Sequence, residues 1–134
     1  MTFFDAIESS ADGLRLNRMR MNVIASNLSN ANTTRTAEGG PYRRKEVVVE
    51  SGYGYAQSKV GIKIDVVEDK SAFRMIYDPT HPDSTEDGYL LLPNVNPIEE
   101  MVNMLNASRG FELNSLAIKT AKQMAQKAIE IGQS

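Results

Sequence analysis

The only histidine of the chain lies in a loop whose residues resemble a set of metal ligands. His81 falls between Asp78 and Asp83, with Pro79 and Pro82 in the same run, and imidazole with carboxylate is a common ligand set for zinc. Two prolines at this spacing, however, enforce an extended turn. We therefore predict a solvent-exposed loop histidine that binds no metal.

A second pattern in the same region imitates the front half of a calcium-binding loop. Asp83, Thr85 and Asp87 place side-chain oxygens at alternate positions, and Gly88 follows them. The twelfth position requires a bidentate glutamate, but Asn94 occupies it, and the flanking segments are not predicted to be a pair of helices. We therefore predict a hairpin turn here.

Basic residues form two groups that could belong to a nucleic-acid surface, since aromatic and basic side chains together bind single strands. Glu46 and Glu50 follow one of the groups closely, and the whole chain carries a net charge of -2. A solvated face or a protein interface is therefore favoured, and no nucleic-acid partner is predicted. The groups are Tyr42 with Arg43, Arg44 and Lys45, and the separate set Arg15, Arg18 and Arg20.

The sequence contains none of the common catalytic or cofactor motifs. It has no cysteine, which removes thiolate metal sites and a cysteine nucleophile. It has neither the phosphate-binding loop that ends in Gly-Lys-Ser/Thr nor the Gly-x-Gly-x-x-Gly fingerprint, and no nucleophile has a histidine partner in sequence reach. We predict that the protein is not an enzyme and uses no cofactor.

Length and composition are those of one small unit, predicted over residues 1–134. Hydrophobic residues make up 41% and charged residues 24%, an ordinary globular balance. No segment reaches the roughly 18 apolar residues of a membrane span. The first residues carry Asp5, Glu8 and Asp12 where a secretory signal would be basic and apolar. Export, if it occurs, is predicted to proceed without a cleaved signal peptide.

Residues 1–32 have the pattern of a long amphipathic helix. Four apolar residues recur seven apart, a narrow stripe typical of a coiled-coil seam. Thr2 and Asp5 at the start have the spacing of a helix-capping pair. The seam residues are Ile7, Leu14, Met21 and Leu28, with Ala11 and Ala25 at intervening positions.

Residues 33–94 hold four of the five prolines, and the helical period disappears there. Strands are predicted over 46–50, where three valines are consecutive, and over 60–66, where apolar and other residues alternate. Two further strands are predicted over 73–77 and 89–92, the last entered through the Asp87-Gly88 turn. The middle of the chain is therefore predicted to be rich in loops and β-structure.

Residues 95–134 return to the helical period. Asn96 is a suitable cap, Pro97 suits the first helical position, and Glu99 and Glu100 favour the positive end of the helix. Asn114 is a polar interruption of the seam, and Gly132 is predicted to end the helix. The seam residues are Met104, Ala107, Phe111, Ile118, Ala121, Ala125 and Ala128.

The fold class predicted from these segments is mainly α with a small β part. Two long terminal helices form an antiparallel, coiled-coil-like pair, with a β-hairpin-rich insertion between them. Because isolated helices depend on packing for their stability, the seams should pair with each other. Apolar residues off the seams would then require neighbouring chains, which indicates assembly; a monomeric helical hairpin is the alternative. These residues are Leu16, Met19, Val23 and Ile24, and Met101, Leu105, Leu113, Leu116 and Met124.

The end of the first helix closely resembles the flagellar rod, hook and filament axial family. The run from Asn22 to Thr34 carries the motif, and further runs resemble the proximal rod members of that family; Phe111 replaces an expected tyrosine. The matching residues are Asn27, Asn30, Ala31, Asn32 and Thr33, then Tyr42, Arg43 and Arg44, then Ala107, Ser108 and Arg109.

This resemblance implies a structural subunit exported by the flagellar type III apparatus. Its implied partners are copies of itself, the proximal rod protein B, distal rod proteins and the basal-body adaptor protein E. The implied location is the basal-body rod that crosses the periplasm. In that family the terminal helices form the inner tube around the export channel, the middle segment contacts neighbouring subunits, and the tube transmits torque.

Overall fold

A computed structural model describes residues 2–52 and 61–134. The elements, in chain order, are α1 (Phe3–Ser29), β1 (Lys45–Gly52), β2 (Gly61–Glu68), β3 (Arg74–Tyr77), β4 (Tyr89–Leu92) and α2 (Pro97–Gly132). At 1.5 Å per residue, α1 is about 40 Å long and α2 about 54 Å. The predicted fold class, two terminal helices enclosing a small β insertion, is confirmed.

Local capping interactions fix where both helices begin. The Thr2 hydroxyl accepts the Asp5 N–H at 3.2 Å, and the Asp5 carboxylate accepts the Thr2 N–H at 2.8 Å, which completes a capping box. Asn96 Oδ1 accepts the Ile98 N–H at 3.1 Å, ahead of Pro97 in the first helical position. Both predicted helix starts are therefore confirmed.

The two helices pack along each other in antiparallel directions. Gly13, in the first half of α1, lies against Asn114, whereas Asn17, one turn later, lies against the earlier residue Gly110. Nine of the thirteen residues predicted to form the seams are half-buried, Ala107 is buried, and the three alanines at 11, 25 and 128 are exposed. The half-buried residues are Ile7, Leu14, Met21, Leu28, Met104, Phe111, Ile118, Ala121 and Ala125.

The four strands form two separate antiparallel pairs. In the first pair Val47 lies opposite Val66 and Val49 opposite Ile64, and both β1 and β2 contact α1. The second pair joins β3 to β4, with Tyr77 opposite Tyr89. Residue 60, predicted as the start of a strand, lies outside the described residues.

The buried face of α1 differs from the predicted seam. Val23 and Ile24, expected to face neighbouring chains, are buried, while Ala25 of the predicted seam is exposed. The reason is that α1 packs against β1 and β2 as well as α2, so that it buries a wider arc than a two-helix seam. In the described parts of the chain, neither helix is long and apolar enough to span a bilayer.

Candidate assembly site

A cluster of buried and half-buried polar residues joins the end of α1, the start of β1 and the start of α2. We call it the polar junction, and it consists of Asn27, Tyr42, Arg44, Asp69 and Glu100. Asn27 is only 1% exposed. Its Oδ1 accepts the Tyr42 hydroxyl at 2.9 Å and the Lys45 N–H at 3.0 Å. Its Nδ2 donates to the Lys45 carbonyl at 2.8 Å, so one amide holds β1 against α1.

Glu100 is the buried carboxylate of the polar junction, also 1% exposed. Arg44 Nε donates to Glu100 Oε1 at 2.5 Å, and Asn27 Nδ2 donates to Glu100 Oε2 at 3.3 Å. The same guanidinium pairs with Asp69 at 3.3 Å. Within the described residues, no fully buried side-chain nitrogen or oxygen lacks a hydrogen-bond partner. The junction is therefore a satisfied network, which is the condition under which buried charges can be tolerated.

Electrostatics within the polar junction favour the charged forms of Arg44 and Asp69. Burial would lower the pKa of Arg44, but its hydrogen bond to Glu100 and the charges of Glu100 and Asp69 raise the pKa above its ordinary value. The pKa of Asp69 is lowered, first by hydrogen bonds from Ser71 and then by Arg44. Arg44 and Asp69 therefore remain charged at neutral pH.

Two further side chains extend the polar junction. Asn94 Oδ1 accepts the Arg44 N–H at 2.8 Å, and Arg74 donates to the carbonyls of Pro93 at 3.0 Å and Ala31 at 3.2 Å. Beside them Ala31, Tyr42 and Val95 form a small buried apolar cluster. The β3–β4 pair is thus tied to the end of α1 and the start of α2.

The loop between β3 and β4 is tied to the segment after α1 through Asp83. Its carboxylate accepts the Thr34 hydroxyl at 2.7 Å and pairs with Arg35 at 2.6 Å. The hydrogen bond from Thr34 is the largest cause of a lowered pKa at Asp83, and the Arg35 charge acts in the same direction. Asp83, considered above as a calcium ligand, therefore has protein partners.

Acid should release this tie. A lowered folded-state pKa means that Asp83 stabilises the fold fully above its ordinary value of 3.8, and that this contribution disappears as the pH falls through the lower folded value. We expect Asp83→Asn to lower the thermal midpoint of the purified chain at pH 7 and to have little effect near pH 2. The exposed neighbour Glu86→Gln is the control. An equal effect of Asp83→Asn at both pH values would contradict this.

His81 has a structural environment within its turn. Its Nδ1 accepts the Asp83 N–H at 3.1 Å, and the residue is half-buried, whereas the sequence predicted a solvent-exposed histidine. The difference arises because the turn folds back on itself through this hydrogen bond. The described residues contain no group of three or more His, Cys, Asp or Glu side chains placed to hold a metal ion.

The face of α2 turned away from α1 carries large apolar residues that are exposed among the residues that the structure describes. Each is between 56% and 75% exposed. They recur at helical spacing on the side opposite the seam, so they form one face along most of α2. We call this face the outer stripe, and it consists of Ile98, Met101, Leu105, Leu113, Leu116 and Met124.

The β3–β4 pair presents a second exposed apolar surface. Met75 lies opposite Leu91, and Tyr77 opposite Tyr89, so all four side chains share one face. All four are exposed, and the two tyrosine rings pack edge to face with centroids 5.4 Å apart. A two-stranded pair with one uncovered apolar face is typical of a surface that binds another protein.

The structure brings many of the predicted motif residues to one place. Asn27, Tyr42 and Arg44 belong to the polar junction, and Ala31 lies beside it. Asn30 ends α1 by donating to the Ser26 carbonyl at 2.9 Å, and Thr33 accepts the Tyr42 N–H at its backbone carbonyl.

The other motif residues lie at the edges of this region or away from it. Arg43 donates to the Asp69 carbonyl at 2.9 Å, at the border of the junction. Asn32 is exposed. On α2, Ala107 is buried, Ser108 half-buried and Arg109 exposed.

Two partners in the polar junction were not predicted to meet there. Glu100 was assigned only a favourable place near the helix N-terminus, and Asp69 had no assigned role. A signal for Glu100 did exist, because it lies seven residues before the seam residue Ala107 and therefore on the same face of α2. No local pattern singles out Asp69, because Arg44, its partner in the junction, is 25 positions away in the sequence.

Two family models match the chain at its ends. One, described as "Flagella basal body rod protein", covers residues 7–35. The other, described as "Flagellar basal body rod FlgEFG protein C-terminal", covers residues 86–131. Together these segments contain most of both helices. They define the chain as a protein of the flagellar basal-body rod class.

Comparison with whole proteins narrows this class. The chain is 40% identical to "Flagellar basal-body rod protein FlgC" of Bacillus subtilis, over 98% of the chain and 99% of the relative. It is 39% identical to FlgC of Borreliella burgdorferi, over 98% of each chain. It is 34% identical to FlgC of Salmonella typhimurium, over 99% of the chain and all of the relative. The chain therefore belongs to the FlgC family of flagellar basal-body rod proteins.

Proposed function

We propose that the chain is a structural subunit of the proximal rod that packs helically with other rod subunits around the export channel and transmits torque. The observation that carries this proposal is the outer stripe, a row of large apolar side chains exposed along most of α2. Apolar surface of this extent on a thin helix pair is stabilised by burial against a neighbour. Family membership indicates that the neighbours are rod proteins.

The two helices suit a tube wall. An antiparallel pair with α2 about 54 Å long can present one face to α1 and the other to an adjacent subunit, so that every helix has neighbours on two sides. Close-packed apolar interfaces resist deformation. A tube built from such contacts is stiff enough to carry torque.

The proposed partners are copies of the chain, the proximal rod protein B, distal rod proteins, the adaptor protein E and, during export, the type III apparatus. The outer stripe is the proposed contact surface for neighbouring helices. The exposed face of the β3–β4 pair, with Tyr77 and Tyr89, is the proposed contact surface outside the helix layer. The predicted seam residues remain proposed contributors, since most are only half-buried within the chain.

The proposed location is the rod segment that crosses the periplasm, reached by export without cleavage of a signal peptide. Residues 2–13 support this route, because they carry Asp5, Glu8 and Asp12 and lack the basic and apolar character of a secretory signal. Asp5 also completes the capping box of α1 and therefore has a role in the folding of that helix.

The test is a strain that lacks the gene for this chain. We expect it to be non-motile and to form incomplete basal bodies, and we expect the wild-type gene to restore both. The variant His81→Ala should restore them equally, since the ring serves only its own turn and no enzymatic role is proposed. Retained motility with complete basal bodies in the deletion strain would contradict the proposal, and failure of His81→Ala with normal protein levels would favour a chemical role.

A further inference from the structure

Both helices carry a glycine followed four residues later by an asparagine, and the two pairs make the same local contact. Asn17 Nδ2 donates to the Gly13 carbonyl at 3.0 Å, and Asn114 Nδ2 donates to the Gly110 carbonyl at 2.8 Å. Each asparagine side chain is thus folded back along its own helix by one turn. Asn17 is buried and Asn114 half-buried.

The two pairs also face each other across the helix interface. A Cβ added to Gly13 would lie 2.6 Å from Asn114 Oδ1, and one added to Gly110 would lie 2.8 Å from Asn17 Nδ2. Each asparagine therefore occupies the space that the absent side chain of the opposing glycine leaves free. The arrangement is reciprocal, with the same two residue types exchanged about an approximate two-fold axis between the helices.

Such a contact discriminates between alternative registers, which the apolar seam does poorly. Seam residues that recur every seven positions pack acceptably after a shift of one heptad. The glycine-asparagine contacts do not survive such a shift. In the observed register the numbers of facing residues sum to 127 at both contacts, since Gly13 faces Asn114 and Asn17 faces Gly110. After a shift of seven residues, Asn114 would face Ala6 or Arg20 in place of Gly13. Both have side chains where the asparagine needs open space.

We propose that the two glycine-asparagine pairs are a reciprocal lock that sets the register of α1 against α2. The lock thereby fixes where the outer stripe lies along the helix pair. This inference rests on the proposed function only where motility or assembled rods are measured in cells. It predicts that each glycine is required because of the asparagine opposite, and not because of its own helix.

The test uses alanine at each glycine, alone and combined with alanine at an asparagine. In an unobstructed helix alanine is the better helix former, so any loss from Gly13→Ala must come from the contact. We expect Gly13→Ala to lower the equilibrium ratio of molecules with paired helices to molecules with unpaired helices by about fivefold or more. This is the effect of overpacking a close contact. Gly132→Ala, where nothing lies within 4 Å of the added carbon, is the matched control.

Rescue distinguishes a lock from a general need for glycine. Asn114→Ala removes the atoms that the new Cβ would meet, so we expect it to restore much of what Gly13→Ala loses. Asn17→Ala should not rescue Gly13→Ala, although it should rescue Gly110→Ala. Equal rescue by either asparagine variant, or no loss from either glycine variant, would overturn the proposal.

The register itself can be read by disulfide trapping, since the chain has no cysteine of its own. In the observed register Ile7 lies nearly level with Ala121, and Ala128 is one heptad farther along. We expect Ile7→Cys to cross-link to Ala121→Cys and not to Ala128→Cys in otherwise wild-type rods, and we expect the Gly13→Ala background to form less of the Ala121 product. An unchanged pattern in that background would contradict the lock. Failure of the unmodified gene to restore motility would instead contradict the proposed function.

Discussion

Replacing Leu116 with aspartate is expected to abolish rod assembly and motility while leaving the helix pair folded. Leu116 belongs to the outer stripe and is 58% exposed in the isolated chain, so a carboxylate there remains in water until a neighbour docks. Docking would then bury it without a partner, at a cost of several kcal/mol. The measurements are motility, basal-body completeness and the helix content of the purified variant.

Two control variants distinguish loss of the assembly surface from a general loss of folding. Ser115→Asp adds the same charge at the adjacent exposed position beside the stripe and should be tolerated. Ile118→Asp adds it to a half-buried residue of the face turned towards α1, and it should lower helix content as well as assembly. Normal rods from the Leu116→Asp gene would show that the outer stripe is not an assembly surface.

Replacing Glu100 with alanine is expected to cost about 2 to 3 kcal/mol of folding free energy, because it removes the most deeply buried partner of a charged group. Arg44 would lose its contact at 2.5 Å and keep only the longer contacts to Asp69 at 3.3 Å and Glu46 at 3.4 Å. Asn27 would lose its contact at 3.3 Å in the same step. Urea unfolding of the purified chain measures the loss as a lower midpoint at unchanged slope.

The neighbouring residue provides the control. Glu99 carries the same charge in the same helical turn but is exposed, so Glu99→Ala should cost no more than about 1 kcal/mol, the range of a helix-dipole interaction. A double variant with apolar residues at both Arg44 and Glu100 should recover much of the loss, because it removes both charges of the most buried pair and leaves Asp69, which is 26% exposed, in contact with water. Equal midpoints for Glu100→Ala and Glu99→Ala would refute the role given to the polar junction.

Sequence patterns were sufficient to predict the helix starts and the strands because the signals for these are local. Thr2 with Asp5, and Asn96 with Pro97, act within one turn of the backbone they cap. Alternation of apolar residues likewise reports directly on strand faces. Periodicity also indicated which residues of α2 would lack partners within the chain, and Leu105, Leu113 and Leu116 are indeed exposed.

Contacts between distant residues could not be predicted in the same way. Glu100 meets Arg44 across 56 positions of the sequence, and the helical period says only which face a residue occupies. Val23 and Ile24 are buried because β1 and β2 pack on α1, which a two-helix pattern does not include. Gly13 is a poor helix former in the middle of a helical pattern, but the residue that needs the space it leaves, Asn114, is set by the register of the two helices.

Photo-cross-linking from position 116 in working flagella addresses the central claim most directly. A photoreactive amino acid should replace Leu116 in one strain and Ala107, only 4% exposed, in another. We predict that the probe at 116 captures a second rod subunit in assembled basal bodies and that the probe at 107 reacts only within its own chain. Motile cells in which position 116 yields no product between chains would contradict the assignment of the outer stripe to assembly.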